Sequence, residues 1–80
     1  MNLDVKDIVV LEDKKEYVIA SKMKYDNKTY YYMADTSNIS NFKFCYEDNN
    51  ELVEVLDKNK LEKLALLFSK KLLEDLKNIN

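Results

Sequence analysis

Histidine, arginine, glycine, proline, tryptophan and glutamine are all absent from these 80 residues, and cysteine occurs once. Each gap removes a class of chemistry. Without histidine, neither Cys45 nor any serine has a neighbour able to take a proton near neutral pH, which nucleophilic catalysis requires. One cysteine and no histidine cannot build a zinc site. Phosphate-cradling loops use glycine for close backbone approach, and a calcium-binding loop turns on a central glycine, so neither can be assembled. No catalytic residue, metal or cofactor is therefore expected, and the chain reads as a non-enzyme.

Charge is also constrained. All 13 basic residues are lysine, against 15 acidic ones, for a net charge of −2 with the signs interleaved along the chain. Arginine forks bidentately onto phosphate and guanine, so its absence disfavours nucleic acid. Long apolar runs are missing too. The segment Leu61–Leu76 carries Lys and Glu throughout, and Asp4, Lys6 and Asp7 interrupt the N-terminal residues. Neither a membrane span nor a signal peptide is expected. A lone Cys45 between Phe44 and Tyr46 cannot form an internal disulfide and reads as a small core residue, which fits the cytoplasm.

What remains is globular. A hydrophobic fraction of 46% beside a charged fraction of 35% provides enough apolar mass for one core. The excess of Lys, Asn, Ile and Tyr is what an AT-rich coding sequence produces, as in low-GC bacteria or mobile elements.

Alternation at period two, broken by polar clusters, predicts strands at about 5–11, 16–25, 29–34, 42–47 and 51–56. Asp26-Asn27-Lys28 and Asp48-Asn49-Asn50 supply hairpin turns, since Asn tolerates the left-handed backbone. Asp35–Asn41, rich in Thr, Ser and Asn, reads as the longest loop. Near residue 59 the hydrophobic period changes and a helix over about 59–77 begins. Asn59 with Glu62 forms a possible capping box, and Asp57 is the competing cap. At 100° per residue Leu61, Leu64, Ala65, Leu67, Phe68, Leu72, Leu76 and Ile79 share one stripe for packing on the sheet. The expected fold is α+β, an antiparallel meander of four or five strands in a single domain, with one C-terminal amphipathic helix on one face.

Three sets of residues are candidates for function. Glu12, Asp13, Glu16, Asp26, Asp35, Glu47, Asp48 and Glu51 sit mostly at turns, where solvated carboxylates are ordinary. Tyr30, Tyr31 and Tyr32, with lysines on neighbouring strands, suggest a base-stacking platform. Strand geometry, however, turns Tyr31 away from the other two, so the weak single-strand nucleic-acid alternative reduces to Tyr31 with Lys22, Lys24 and Lys43. Leu66 and Leu73, one heptad apart beside Ser69 and Lys70, fall outside the main stripe. They are either covered by the N-terminal strand or a sheet end, or free for a partner helix or a second copy of the chain.

The segments Lys15-Glu16-Tyr17-Val18-Ile19, Tyr25-Asp26-Asn27-Lys28-Thr29-Tyr30-Tyr31-Tyr32, Phe42-Lys43-Phe44 and Leu52-Val53-Glu54-Val55 with the closing helix resemble the YrzB-like family of small acidic proteins from low-GC Gram-positive bacteria. In that family an acidic-Tyr-hydrophobic strand leads through a Tyr-acidic-Gly-Lys turn to a Tyr-rich strand, and an Asp-capped helix follows a Val-rich strand. Here Asn27 stands in place of the turn glycine, and lysine dilutes the family's acidity. The resemblance implies this fold and brings no catalytic residue. The function expected from all this is a non-catalytic interaction or regulatory module that occludes a partner's surface.

Overall fold

Six non-glycine residues occupy left-handed backbone conformations that glycine usually fills, and four of them pair up in two tight turns. The computed structural model describes residues 3–77. In it Asp26 and Asn27 take φ of 52° and 62°, and Asn49 and Asn50 take 50° and 62°. Two successive left-handed residues make a type I′ turn, whose twist matches that of the strands it joins. Asp and Asn pay the smallest steric penalty there after glycine. These turns close the second and fourth hairpins of a five-stranded antiparallel meander: β1 Ile8–Val10, β2 Glu16–Tyr25, β3 Lys28–Asp35, β4 Asn38–Asp48 and β5 Glu51–Glu54, hydrogen-bonded in chain order. The sheet curls into a half-barrel, and the helix α1, Lys58–Lys77, completes the α+β fold.

Several expectations about element bounds and burial need correction. Residues 35–41 are not a long loop: β3 and β4 meet at a two-residue turn, Thr36-Ser37, with Asp35 opposite Asn38. The polar side chains there build the turn themselves. Asp35 accepts the Ser37 N–H at 2.8 Å, Asn38 accepts the Ser40 N–H at 3.1 Å, and Asn41 donates to Asp35 at 3.2 Å. The first strand is shorter than 5–11, because Asp4 and Asp7 form a local turn with Asp7 N–H on Asp4 C=O at 3.0 Å. At the other end Leu11 already belongs to the β1–β2 turn, where it accepts the Lys14 N–H at 2.9 Å. Asp57 and not Asn59 caps α1: the helix starts at Lys58, and the Leu61 N–H donates to the Asp57 carbonyl at 2.9 Å. A carboxylate at that position also complements the positive end of the helix.

Strand alternation sends neighbouring tyrosines to opposite faces and creates two cores. Tyr17, Ile19, Tyr31, Met33 and Cys45 pack on the face away from the helix, with Leu3, Val9, Leu11 and Leu52 around them. Tyr30, Phe44 and Val55 pack under α1 against Leu64 and Phe68, bordered by Met23, Tyr25, Tyr32, Tyr46 and Leu61. Phe68 stacks on Phe44 with centroids 5.4 Å apart and planes at 17°.

Only the first half of α1 makes this seal. Leu64 and Phe68 are buried, whereas Ala65, Leu72 and Leu76, expected to share their stripe, are exposed. Length explains the difference. Twenty residues of helix extend about 30 Å. The paired part of β3 and β4 beneath it, from Tyr30 opposite Tyr46 to Ala34 opposite Phe42, spans only about 17 Å. The helix outruns the sheet. Ile79, assigned to the same stripe, lies outside the described residues.

The hydroxyl of Tyr30 is buried without a hydrogen-bond partner. Lys60 stands over the ring, 5.8 Å from its centroid, outside hydrogen-bonding geometry but close enough that the Tyr30 hydroxyl raises the lysine's pKa. Removing an unsatisfied buried hydroxyl relieves a desolvation cost. Tyr30→Phe is therefore expected to leave the fold intact and raise stability by about 1 kcal/mol in urea unfolding; a loss of that size would show that the hydroxyl is bonded.

Candidate functional site

The overhanging half of α1 presents leucines to the surface. Leu66 is 57% exposed, Leu73 59%, Leu76 64% and Leu72 38%. From residue 65 onward Leu72, Ala65, Leu76, Ser69, Leu73 and Leu66 follow one another around an arc of about 120°. Leu66 and Leu73 are thus uncovered by the N-terminal strand or by either end of the sheet, with Ser69 between them and Lys70 on the rim.

The arc continues into the sheet. Ala65, Phe68, Ser69 and Leu72 form one wall of a groove of about 230 Å³, and Tyr32, Phe42 and Phe44 form the other. Phe42 is half exposed and lies 5.7 Å from both Tyr32 and Phe44, ring to ring. It pairs with Ala34 of β3 on one side, but on the other side β4 runs on past β5, which pairs only with Cys45–Asp48 and then adds one bond, Val55 N–H to Phe44 C=O at 2.8 Å. By the antiparallel alternation that this bond fixes, Phe42 turns its own N–H and C=O to the same open side.

Helical periodicity points to Leu66 and Leu73 but places Leu72 and Leu76 in the stripe that packs on the sheet, and alternation marks Phe42 only as a strand residue. The available signal was the mismatch between a 20-residue helix and short paired strands.

The groove is bordered on one rim by charge. Lys63, Lys70 and Lys77 recur at heptad spacing beside the leucine arc. Lys63 is held over the Tyr25 ring, 5.3 Å from its centroid, and the Tyr25 hydroxyl, as hydrogen-bond partner, raises its pKa. Lys70 and Lys77 make no ion pair or ring contact among the described residues.

The alternative set is brought together on the opposite face but not in a form that stacks bases. The Tyr31 ring is buried and its hydroxyl donates to Glu47 at 3.3 Å. Burial first, then the Glu47 charge, pushes that hydroxyl's pKa up. Lys22 donates to Asp4 at 2.8 Å and to the Leu3 carbonyl at 3.1 Å. Lys43 donates to Glu54 at 2.9 Å and lies 3.6 Å from Asp13. Of the three lysines only Lys24 remains exposed and unengaged. With no exposed ring and two of three cations neutralised, the face lacks both parts of a single-strand binding platform.

That face holds a polar cluster instead. Tyr17 donates to Asp13 at 2.6 Å and accepts from Asn41 at 3.3 Å. The Tyr17 bond is the main reason that the Asp13 carboxyl titrates below the usual range, and Tyr17 moves up in turn. Cys45 lies nearby, buried, its thiol pushed up to about 11 chiefly by desolvation and then by the Glu54 charge. It is a poor nucleophile in this setting. Against an ordinary value of 9.0, this is expected to slow disulfide-reagent labelling of the native protein at pH 8 by roughly a hundredfold relative to the unfolded chain. Equal rates would place the thiol at the surface.

No group of three or more metal-ligating side chains occurs among the described residues, and no helix there is long and apolar enough to cross a membrane. The chain matches no protein-family model, no curated protein and no solved structure.

Proposed function

We propose that this chain is a non-catalytic protein-interaction module that binds a partner through the exposed arc of α1 and the adjoining Phe42 groove, and acts in the cytoplasm by occluding the partner's surface. The observation that carries this reading is the contiguity of Leu66, Leu72, Leu73 and Leu76 with Phe42. Leucines scattered singly over a surface are ordinary, whereas one apolar patch shared by a helix and a sheet edge is the mark of an interaction site. The resemblance to the YrzB-like family sits with it, since it brings no catalytic residue. The test is capture from a lysate with the wild type and with Leu66→Lys plus Leu73→Lys. The wild type should retain a partner that the folded double variant loses. Identical retention by the two would remove this surface from the reading.

A further inference from the structure

We infer that the occupant of the leucine arc is an acidic amphipathic helix of another protein, and not a second copy of this chain. The inference rests on the reading above and adds the chemistry of the partner.

Residues 58–77 carry six lysines against three acidic residues, while the rest of the chain carries seven lysines against twelve. The helix is therefore a basic ridge on an acidic body. Within it the positive charges nearest the apolar arc are Lys63, Lys70 and Lys77, which form one row along its rim. Asp75 lies on another part of the helix and is engaged with Lys71 at 3.9 Å.

Pairing of the arc with itself brings like charges together in either direction. In an antiparallel pair of helices, positions on the same rim face each other, so Lys70 meets Lys70 of the second copy and Lys63 meets Lys77. In a parallel pair, residues on the seam meet their own counterparts. Glu62, four positions before Leu66 on the same line, then lies against Glu62. A helix with leucines at heptad spacing and Glu or Asp along one flank avoids both clashes and meets the lysine row with opposite charge. The body's negative charge further steers such a helix towards α1 and away from the opposite face.

The experiment uses the full chain and two synthetic amphipathic helices with identical leucine heptads, one flanked by Glu and one by Lys, titrated by fluorescence anisotropy. The acidic helix is expected to bind at least about tenfold more tightly than the basic one. Lys70→Glu with Lys77→Glu should reverse the preference, and added salt should erode it. Light scattering should give a monomer mass that does not change with concentration. Equal affinity for the two helices, both lost in the Leu66→Lys plus Leu73→Lys variant, would overturn the acidic partner while leaving the surface in place. A mass that doubles with concentration would make a second copy the occupant. Binding of neither helix would remove the inference and the surface together.

Discussion

Phe68→Ala is expected to cost about 3–5 kcal/mol, which is a large part of the roughly 4–12 kcal/mol that a domain of this length has in total. The reason is the place of Phe68 in the structure. It is one of two residues of α1 that are fully buried, and it joins the helix to both Phe44 and Tyr32, with centroids 5.4 and 6.0 Å away. Truncation leaves a cavity under the only helix in the described chain, and the aromatic rings of β3 and β4 cannot close it because the strand ladder fixes their positions. Urea unfolding should show the midpoint falling with little change in slope. A loss below about 1 kcal/mol would mean that the seal between helix and sheet lies elsewhere.

The second large effect falls on binding and leaves folding alone. Leu66→Lys with Leu73→Lys alters two side chains that are already more than half exposed, so stability should change by less than about 0.5 kcal/mol per site. Residues at the desolvated centre of an interface carry a disproportionate share of its energy, and a lysine placed there also buries an unpaired charge. If both leucines lie there, partner affinity should fall by about 2 kcal/mol or more for each, roughly thirtyfold apiece. The contrast with Phe68 is the point: residues two and five positions away on the same helix are expected to separate folding from recognition. A double variant that unfolds would show that the arc is part of the core.

Much of the scaffold was legible because its determinants are local. Alternation in Tyr17–Tyr25 and Phe42–Tyr46, Asn at the tight turns and the change of period near residue 59 all act within a few positions. The start of β4 was not legible, because Asn38, Ser40 and Asn41 have low strand propensity and are held in the strand by side-chain bonds and by pairing with β3. The burial of Leu72 and Leu76 was misjudged for a different reason. Helical periodicity reports which face is apolar, not how far the sheet beneath it extends, and that depends on where β3 and β4 stop pairing. The same limitation hid Phe42, whose alternating pattern is that of a core residue although the helix leaves it half exposed. Tyr31, Lys22 and Lys43 do share a face, as the strand period requires, but the acidic partners that neutralise the lysines come from β5, from the β1–β2 turn and from the segment before β1, beyond the reach of a local reading.

Leucine-methyl NMR during titration with the Glu-flanked helix tests the proposed surface most directly. The methyl signals of Leu66, Leu72, Leu73 and Leu76 should shift, and those of Leu11, Leu52 and the buried Leu64 should stay in place. Shifts confined to Leu11 and Leu52 would put recognition on the far side of the sheet and contradict the division of α1 into a sealing half and a binding half.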